Sequence, residues 1–115
     1  MIKPFVDAGS TSIQIRLMTD ELAADLVKLG RDVAEHVAGV GAVEQVEVSS
    51  GEDSSDLPAY FFTFLIDQNR TDLRPGLLRI RLSIELRDAL LARHDEHYPY
   101  IQILDRTDWG KRARA

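Results

Sequence analysis

The chain has 115 residues, no cysteine and a formal net charge of −5. This length fits a single compact domain that buries roughly 60 to 70% of its unfolded surface, so a core can form without disulfides. The negative charge argues against a general nucleic-acid binder, and the chain shows neither a secretory signal nor a membrane-spanning apolar run. We therefore expect one cytoplasmic domain over residues 1–115 that needs no cofactor.

The first elements predicted along the chain are a strand and an amphipathic helix. Over residues 11–18, apolar and polar side chains alternate, which indicates a half-buried strand with Arg16 on its outward side. Thr19 then offers a helix N-cap, and apolar residues recur every three or four positions. This spacing predicts a helix over residues 20–38, and Gly39 is suited to end it.

The most hydrophobic run of the chain, Ala59 to Ile66, is predicted to be the central strand. It is short, rich in aromatic residues and bounded by turn signals, as buried strands are. A strand over residues 42–49 and a polar loop precede it. Because side chains alternate across a strand, one face points toward the helices and the other consists of Phe61, Thr63 and Leu65.

The segment over residues 77–93 fits two patterns. As one helix, it places Arg79 in the middle of a leucine stripe. As a strand from Leu77 to Leu82 followed by a short helix over residues 84–93, it alternates apolar residues with Arg79 and Arg81. We prefer the strand followed by a helix, because the alternation is regular.

A short final strand is predicted over residues 100–104, and residues 105–115 form a polar tail that we expect to be flexible. The order β-α-β-β-β-α-β predicts an α+β fold, a two-layer sandwich in which two helices cover one face of a mostly antiparallel sheet. If residues 77–93 form one helix instead, the order becomes β-α-β-β-α-β, which is ferredoxin-like.

Signals for catalysis are weak. His94 and His97 flank two acidic residues and are weak candidates for a metal site, but they lack the His-Glu-x-x-His spacing of zinc proteases. The chain has no Gly-x-Ser-x-Gly elbow and no glycine-rich phosphate loop after a strand. We therefore do not favour an enzyme, and a metal-dependent hydrolase ranks last among the functional hypotheses.

The outward face of the sheet carries the main functional hypothesis. An apolar stripe with an arginine rim is predicted there, consisting of Phe61, Thr63, Leu65, Arg16, Arg79 and Arg81. An apolar centre with a charged rim is typical of a protein interface, although a loop or the C-terminal tail is an alternative cover for the stripe.

The leading hypothesis is an interaction or regulatory domain, either a homodimer or the small partner of a neutralising or regulatory pair. A second copy of the chain is the preferred cover for Phe61 and Leu65, which would otherwise lie exposed side by side. The alternative is a module that binds RNA or a phosphorylated ligand on the same face, with a base stacked on Phe61 and phosphate bound by Arg79 and Arg81.

Overall fold

The computed structural model describes residues 19–113, except for the side chains of Arg112 and Ala113. The predicted strand over residues 11–18, with Arg16, lies outside the described residues. The described part has three α-helices and a three-stranded sheet, which confirms the α+β class. The helices are α1 (Asp20–Ala38), α2 (Pro75–Ala92) and α3 (Arg106–Ala113), and the strands are β1 (Val43–Glu52), β2 (Pro58–Ile66) and β3 (Tyr98–Leu104).

Strand β2 lies at the centre of this sheet, as its sequence predicts. It pairs antiparallel with β1 and parallel with β3. The antiparallel pair is a hairpin, whereas helix α2 carries the chain back across the sheet before β3 begins. The described sheet is therefore mixed, where the sequence predicts a mostly antiparallel one.

Helix α1 begins where its capping signal predicts. The Thr19 hydroxyl accepts a hydrogen bond from the Leu22 N–H at 3.0 Å. The helix ends at Gly39, whose φ of 107° suits glycine and whose N–H donates to the Glu35 carbonyl at 2.9 Å. Within the helix, a Cβ on Gly30 would lie 3.0 Å from the Phe62 ring, so glycine lets α1 pack closely on the sheet.

Residues 75–92 form one continuous helix, so the predicted strand from Leu77 to Leu82 is wrong. From Asp20 to Leu104 the described elements run α-β-β-α-β, which agrees with the alternative with one helix from its second element onward. However, β2 and β3 are direct neighbours in the sheet, whereas the split βαβ unit of ferredoxin-like folds has a further strand between them.

The core lies between one face of the sheet and helices α1 and α2. The rings of Phe62 and Phe64 stack on this face with centroids 6.0 Å apart, and both side chains are buried. Leu26 and Ala34 of α1 and four leucines of α2 belong to the same cluster. Two helices therefore cover one face of the sheet, as predicted.

The last residues of the described chain form a helix within the predicted polar tail. Helix α3 contacts β2 and β3. At its start, the Asp105 carboxylate accepts a hydrogen bond from the Asp108 N–H at 2.8 Å. The Arg106 guanidinium donates to both carboxylate oxygens of Glu44, at 2.7 to 3.2 Å, which joins α3 to strand β1.

Candidate functional site

Helix α2 carries apolar side chains on two opposite sides. The inner stripe is fully buried and consists of Leu78, Leu82, Leu86 and Leu90. The outer stripe is 46 to 57% exposed and consists of Leu77, Ile80, Ile84 and Leu91. Successive members of the outer stripe are three, four and seven residues apart, so they lie along one side of the helix.

The outer stripe points away from the core. Ile80 and Ile84 each follow a buried leucine by two residues, which is a rotation of about 200° around the helix axis. A surface helix normally has one apolar side, and apolar residues on both sides are typical of a helix that is buried on both. The outer stripe is therefore an apolar surface that the described fold leaves uncovered.

Charged side chains of both signs border the outer stripe. The Arg81 guanidinium donates to the Glu85 carboxylate at 3.3 Å, one helical turn later. The same carboxylate lies 3.8 Å from the His36 ring of α1. Asp88 is exposed and lies one turn beyond Ile84. An apolar strip with a mixed charged border has the composition of a protein interface with a polar rim.

The predicted outward face of β2 is only partly open. Phe61 and Thr63 are half-buried, but Leu65 is only 6% exposed. Leu65 pairs in register with Leu104, which lies two residues before the start of α3, and α3 contacts both strands. The prediction that Phe61 and Leu65 lie exposed side by side in the monomer is therefore wrong.

Arg79 and Arg81 do not border Phe61, because they belong to helix α2 rather than to a strand. Helix α2 packs on the opposite face of the sheet, through its inner stripe. The in-register neighbours of Phe61 are instead Ser49 on β1 and Tyr100 on β3. The arginine rim predicted around the sheet face is thus wrong for both arginines of α2.

An aromatic row lies where the arginine rim was predicted, and it consists of Phe61, Tyr100 and Tyr98. The rings of Phe61 and Tyr100 stack with centroids 5.5 Å apart and an interplanar angle of 18°. The Tyr100 and Tyr98 rings lie 4.9 Å apart. The Arg87 guanidinium lies over the Tyr98 ring, 4.9 Å from its centroid, which is a cation–π geometry.

A cavity of about 790 Å³ opens beside this row, between the C-terminal end of α2, the β1–β2 loop and the start of β3. We call it the cleft. Its lining consists of Asp53, Leu57, Pro58, Arg87, Arg93, His94, Asp95, Glu96, His97, Tyr98 and Tyr100. Sequence reasoning missed the cleft as a site, although Tyr98 and Tyr100 have the period-two spacing that places both on one face of a strand.

The Asp95 carboxylate organises one wall of the cleft. It accepts hydrogen bonds from the Tyr60 hydroxyl at 2.6 Å and from the His97 N–H at 3.0 Å. The His97 Nδ1 lies 2.6 Å from the same carboxylate, and the His97 ring stacks on the Tyr60 ring at 4.2 Å. Because a carboxylate only accepts, Nδ1 carries the proton in this contact.

These contacts shift the pKa values of two groups. Burial raises the pKa of the Tyr60 hydroxyl far above its ordinary value, and its hydrogen bond to Asp95 raises it further. Burial also raises the pKa of Asp95. The hydrogen bonds from Tyr60 and His97 together outweigh that effect and bring the pKa below its ordinary value. The Asp95 carboxylate is thus ionised and its acceptor capacity is largely used.

The second carboxylate of the cleft, Asp53, is also occupied by hydrogen bonds. It accepts from the Ser55 and Leu57 N–H groups at 2.8 and 3.1 Å, which closes the β1–β2 loop. It also accepts from the Tyr100 hydroxyl at 2.9 Å. Hydrogen bonds from the Leu57 and Ser55 N–H groups lower the pKa of Asp53, and the bond to Asp53 raises the pKa of Tyr100.

His94 and His97, the two weak metal candidates, have different surroundings. His94 is exposed, with a φ of 62°, whereas the His97 ring is held by Asp95 and Tyr60. Over residues 19–113, no group of three or more histidine or acidic side chains is arranged to hold a metal ion.

Comparisons of the chain with protein-family models, with curated proteins and with solved structures gave no significant match. None of the helices described over residues 19–113 is both long enough and apolar enough to cross a membrane. Two features of the described residues bear on function: the outer stripe of α2 and the cleft.

Proposed function

We propose that this protein is an interaction domain that acts as a homodimer, in which the outer stripes of two α2 helices pack against each other. The observation that supports the proposal is the second apolar side of α2, which includes Ile80 and Ile84 at more than half exposure. This proposed interface lies on helix α2, whereas the sequence predicts an interface on the outward face of the sheet. We also propose that the dimer forms in the cytoplasm, since a chain without cysteine has no disulfide framework suited to secretion.

The energy of burial is of the right size for a dimer. Fully burying a large apolar side chain contributes about 1.5–3 kcal/mol, and the eight side chains of two stripes are already about half buried. Their complete burial would contribute roughly 6–12 kcal/mol. Association costs about 4–15 kcal/mol, so the stripe and its charged border together determine the affinity.

The charges along α2 favour an antiparallel pair. A two-fold axis between Ile84 and Glu85 would place Arg81 of each copy opposite Asp88 of the other. Opposite charges would then meet along the border, which selects the register and orientation of the pair. The same axis lies near the middle of α2, so the helices would overlap along almost their full length.

The first test is the oligomeric state in solution, measured by light scattering coupled to size-exclusion chromatography. Wild type is expected to be a dimer, and the double variant Ile80→Asp/Ile84→Asp a folded monomer with unchanged helical circular dichroism. Val40→Asp is the matched control, because Val40 is 85% exposed and lies outside α2. A monomeric wild type would overturn the homodimer. It would leave the small partner of a regulatory pair as the next proposal, tested by co-purification.

Cysteine cross-linking tests the orientation. The natural chain has no cysteine, so a single Ile84→Cys forms a disulfide only with another copy. In the antiparallel pair, the two Ile84→Cys sites lie beside the two-fold axis and should cross-link rapidly. Two Leu91→Cys sites lie about 20 Å apart, measured along the helices, and should not cross-link. Equal cross-linking at both positions would indicate a parallel pair.

A further inference from the structure

The hydrogen-bonding groups of the cleft are unevenly used. Asp53 and Asp95 each accept three hydrogen bonds from within the chain. Arg93 is paired with Asp25 of α1. The strongest acceptors of the cleft are thus already occupied, and what it offers to a ligand is mainly donors.

Two side chains of the cleft, Arg87 and His97, keep ring or guanidinium nitrogens that no carboxylate within residues 19–113 occupies. Arg87 has no ion pair within residues 19–113 and is held in place by the Tyr98 ring. The His97 ring is fixed through Nδ1, so its Nε2 donates to a ligand in the imidazolium form, in which both ring nitrogens carry a proton. His94 lies exposed at the rim, and Glu96 is the one acidic lining residue without a described partner. This donor set suits an anionic group, and Arg87 in particular suits a phosphate.

Aromatic rings line the same space. Tyr98 and Tyr100 are each 39% exposed at the cleft, and the stack with Phe61 and the hydrogen bond to Asp53 hold Tyr100 in place. Exposed rings held in position are platforms on which a nucleobase stacks. A cavity of about 790 Å³ lies within the usual range for a small-molecule site.

We propose that the cleft binds a mononucleotide. Its base stacks on the Tyr100 ring, because the Tyr98 ring is inclined at 57° to that ring and already carries the Arg87 guanidinium. Its phosphate accepts hydrogen bonds from Arg87 and from the imidazolium form of His97, and Glu96 accepts a hydrogen bond from a sugar hydroxyl. The juxtaposition of an aromatic platform with an unpaired guanidinium carries this inference, and it does not depend on dimerisation through the outer stripe. It differs from the sequence prediction, in which Arg79 and Arg81 bind phosphate.

Isothermal titration calorimetry on the wild-type protein tests the inference, with AMP, GMP, CMP and UMP as separate ligands. We expect saturable binding of at least one of them below about 1 mM, and binding weakened about tenfold or more by Arg87→Ala or Tyr100→Ala. Arg79→Ala is the matched control: it removes an exposed arginine of the same helix that does not line the cleft, and it should bind like wild type.

Two further titrations separate the parts of the proposal. Inorganic phosphate alone should bind at least about tenfold more weakly than the nucleotide, because it gains nothing from the aromatic platform. Phosphate binding as tightly as the nucleotide, or no nucleotide binding up to about 1 mM, would overturn the proposal. So would equal loss in Arg79→Ala and Arg87→Ala. Circular dichroism on each variant shows that a loss of binding is not a loss of fold.

Discussion

Helices α1 and α2 lie side by side on the same sheet, yet they meet solvent differently. The outer side of α1 is polar and carries ion pairs one turn apart, such as Lys28 with Asp32 at 3.0 Å. The outer side of α2 carries Ile80 and Ile84, both more than half exposed. The outer stripe lies outside the core, so folding of the monomer does not explain its apolar residues. For this reason we propose that the outer stripe serves association.

The two helices also end differently. Helix α1 ends at Gly39, for which a φ of 107° costs little. Helix α2 is followed by His94, a non-glycine residue with a φ of 62°, and by Asp95, whose side chain binds Tyr60 of the central strand. Backbone hydrogen bonds close both helices, at α2 from the Arg93, His94 and Asp95 N–H groups. The end of α2 is held in addition by side chains that line the cleft.

The largest expected effect separates the two stripes of α2. Leu82→Ala removes a fully buried side chain and should lower the free energy of unfolding by about 2–5 kcal/mol. In an Ile84→Asp background, chosen to keep the protein monomeric, Ile80→Ala should change it by less than about 1 kcal/mol. Urea unfolding followed by circular dichroism measures both. Similar losses at the two positions would mean that the outer stripe is part of the monomer core.

The contact at the end of α2 is tested by Tyr60→Phe. Removing the hydroxyl takes a hydrogen bond from the ionised Asp95 and should cost about 1.5–3 kcal/mol at neutral pH. Urea denaturation of wild type and Tyr60→Phe at a series of pH values measures the difference.

That difference should depend on pH with a definite sign. Because the folded pKa of Asp95 is lowered, its contribution is present above its ordinary value of 3.8 and is lost as the pH falls through the folded value. Because the folded pKa of Tyr60 is raised, its contribution is present below its ordinary value of 10.0 and declines as the pH rises beyond it. A difference between wild type and Tyr60→Phe that keeps its full size at pH 2 would contradict this account.

Glycines in the two helices should respond oppositely to alanine. Gly30→Ala in α1 forces a Cβ to within 3.0 Å of the Phe62 ring and should destabilise the protein by about 1–3 kcal/mol. Gly76→Ala in the first turn of α2 meets no atom within 4 Å and should stabilise it by up to about 1 kcal/mol. Thermal unfolding of the two variants gives the comparison, and stabilisation by Gly30→Ala would show that α1 does not approach the sheet so closely.

The smallest expected effect concerns the end of α2. His94→Gly removes the steric cost of a side chain at a φ of 62° and should raise the free energy of unfolding by about 1 kcal/mol. Gly39→Ala, at the corresponding end of α1, should lower it by about 1–3 kcal/mol, because a φ of 107° with a ψ of 145° is a backbone conformation almost confined to glycine. Chemical denaturation of the pair tests whether the two ends obey the same backbone preference. A destabilised His94→Gly would show that the His94 side chain makes a compensating contact.

Local chemistry explains which predictions from the sequence were right. Helix α1 has one apolar side, a capping threonine and a terminal glycine, so its period and both its ends are visible in the chain. The central strand is an aromatic run between turn signals, which specifies its type and its inner face. These are short-range features, and short-range preferences act on them without competition from the rest of the fold.

Helix α2 was misread because its apolar residues lie on two sides. Leu78, Ile80 and Leu82 alternate with arginines just as residues of a half-buried strand do, and the two stripes hide the helical period. Burial of four leucines against the sheet decided between the two patterns, because the order of apolar and polar residues fits both. Pro75 in the first turn is the one local sign of the helix start.

The sequence by itself therefore determined the class of the fold, helix α1 and the central strand. The tertiary structure alone decided which surface stays apolar and which residues meet at the cleft. Tyr60 and Asp95 are 35 residues apart, and Asp53 and Tyr100 are 47 apart, so only the pairing of β2 with β3 brings them together. Which distant groups meet is a property of packing, because the free energy that selects the pairing comes from the whole core.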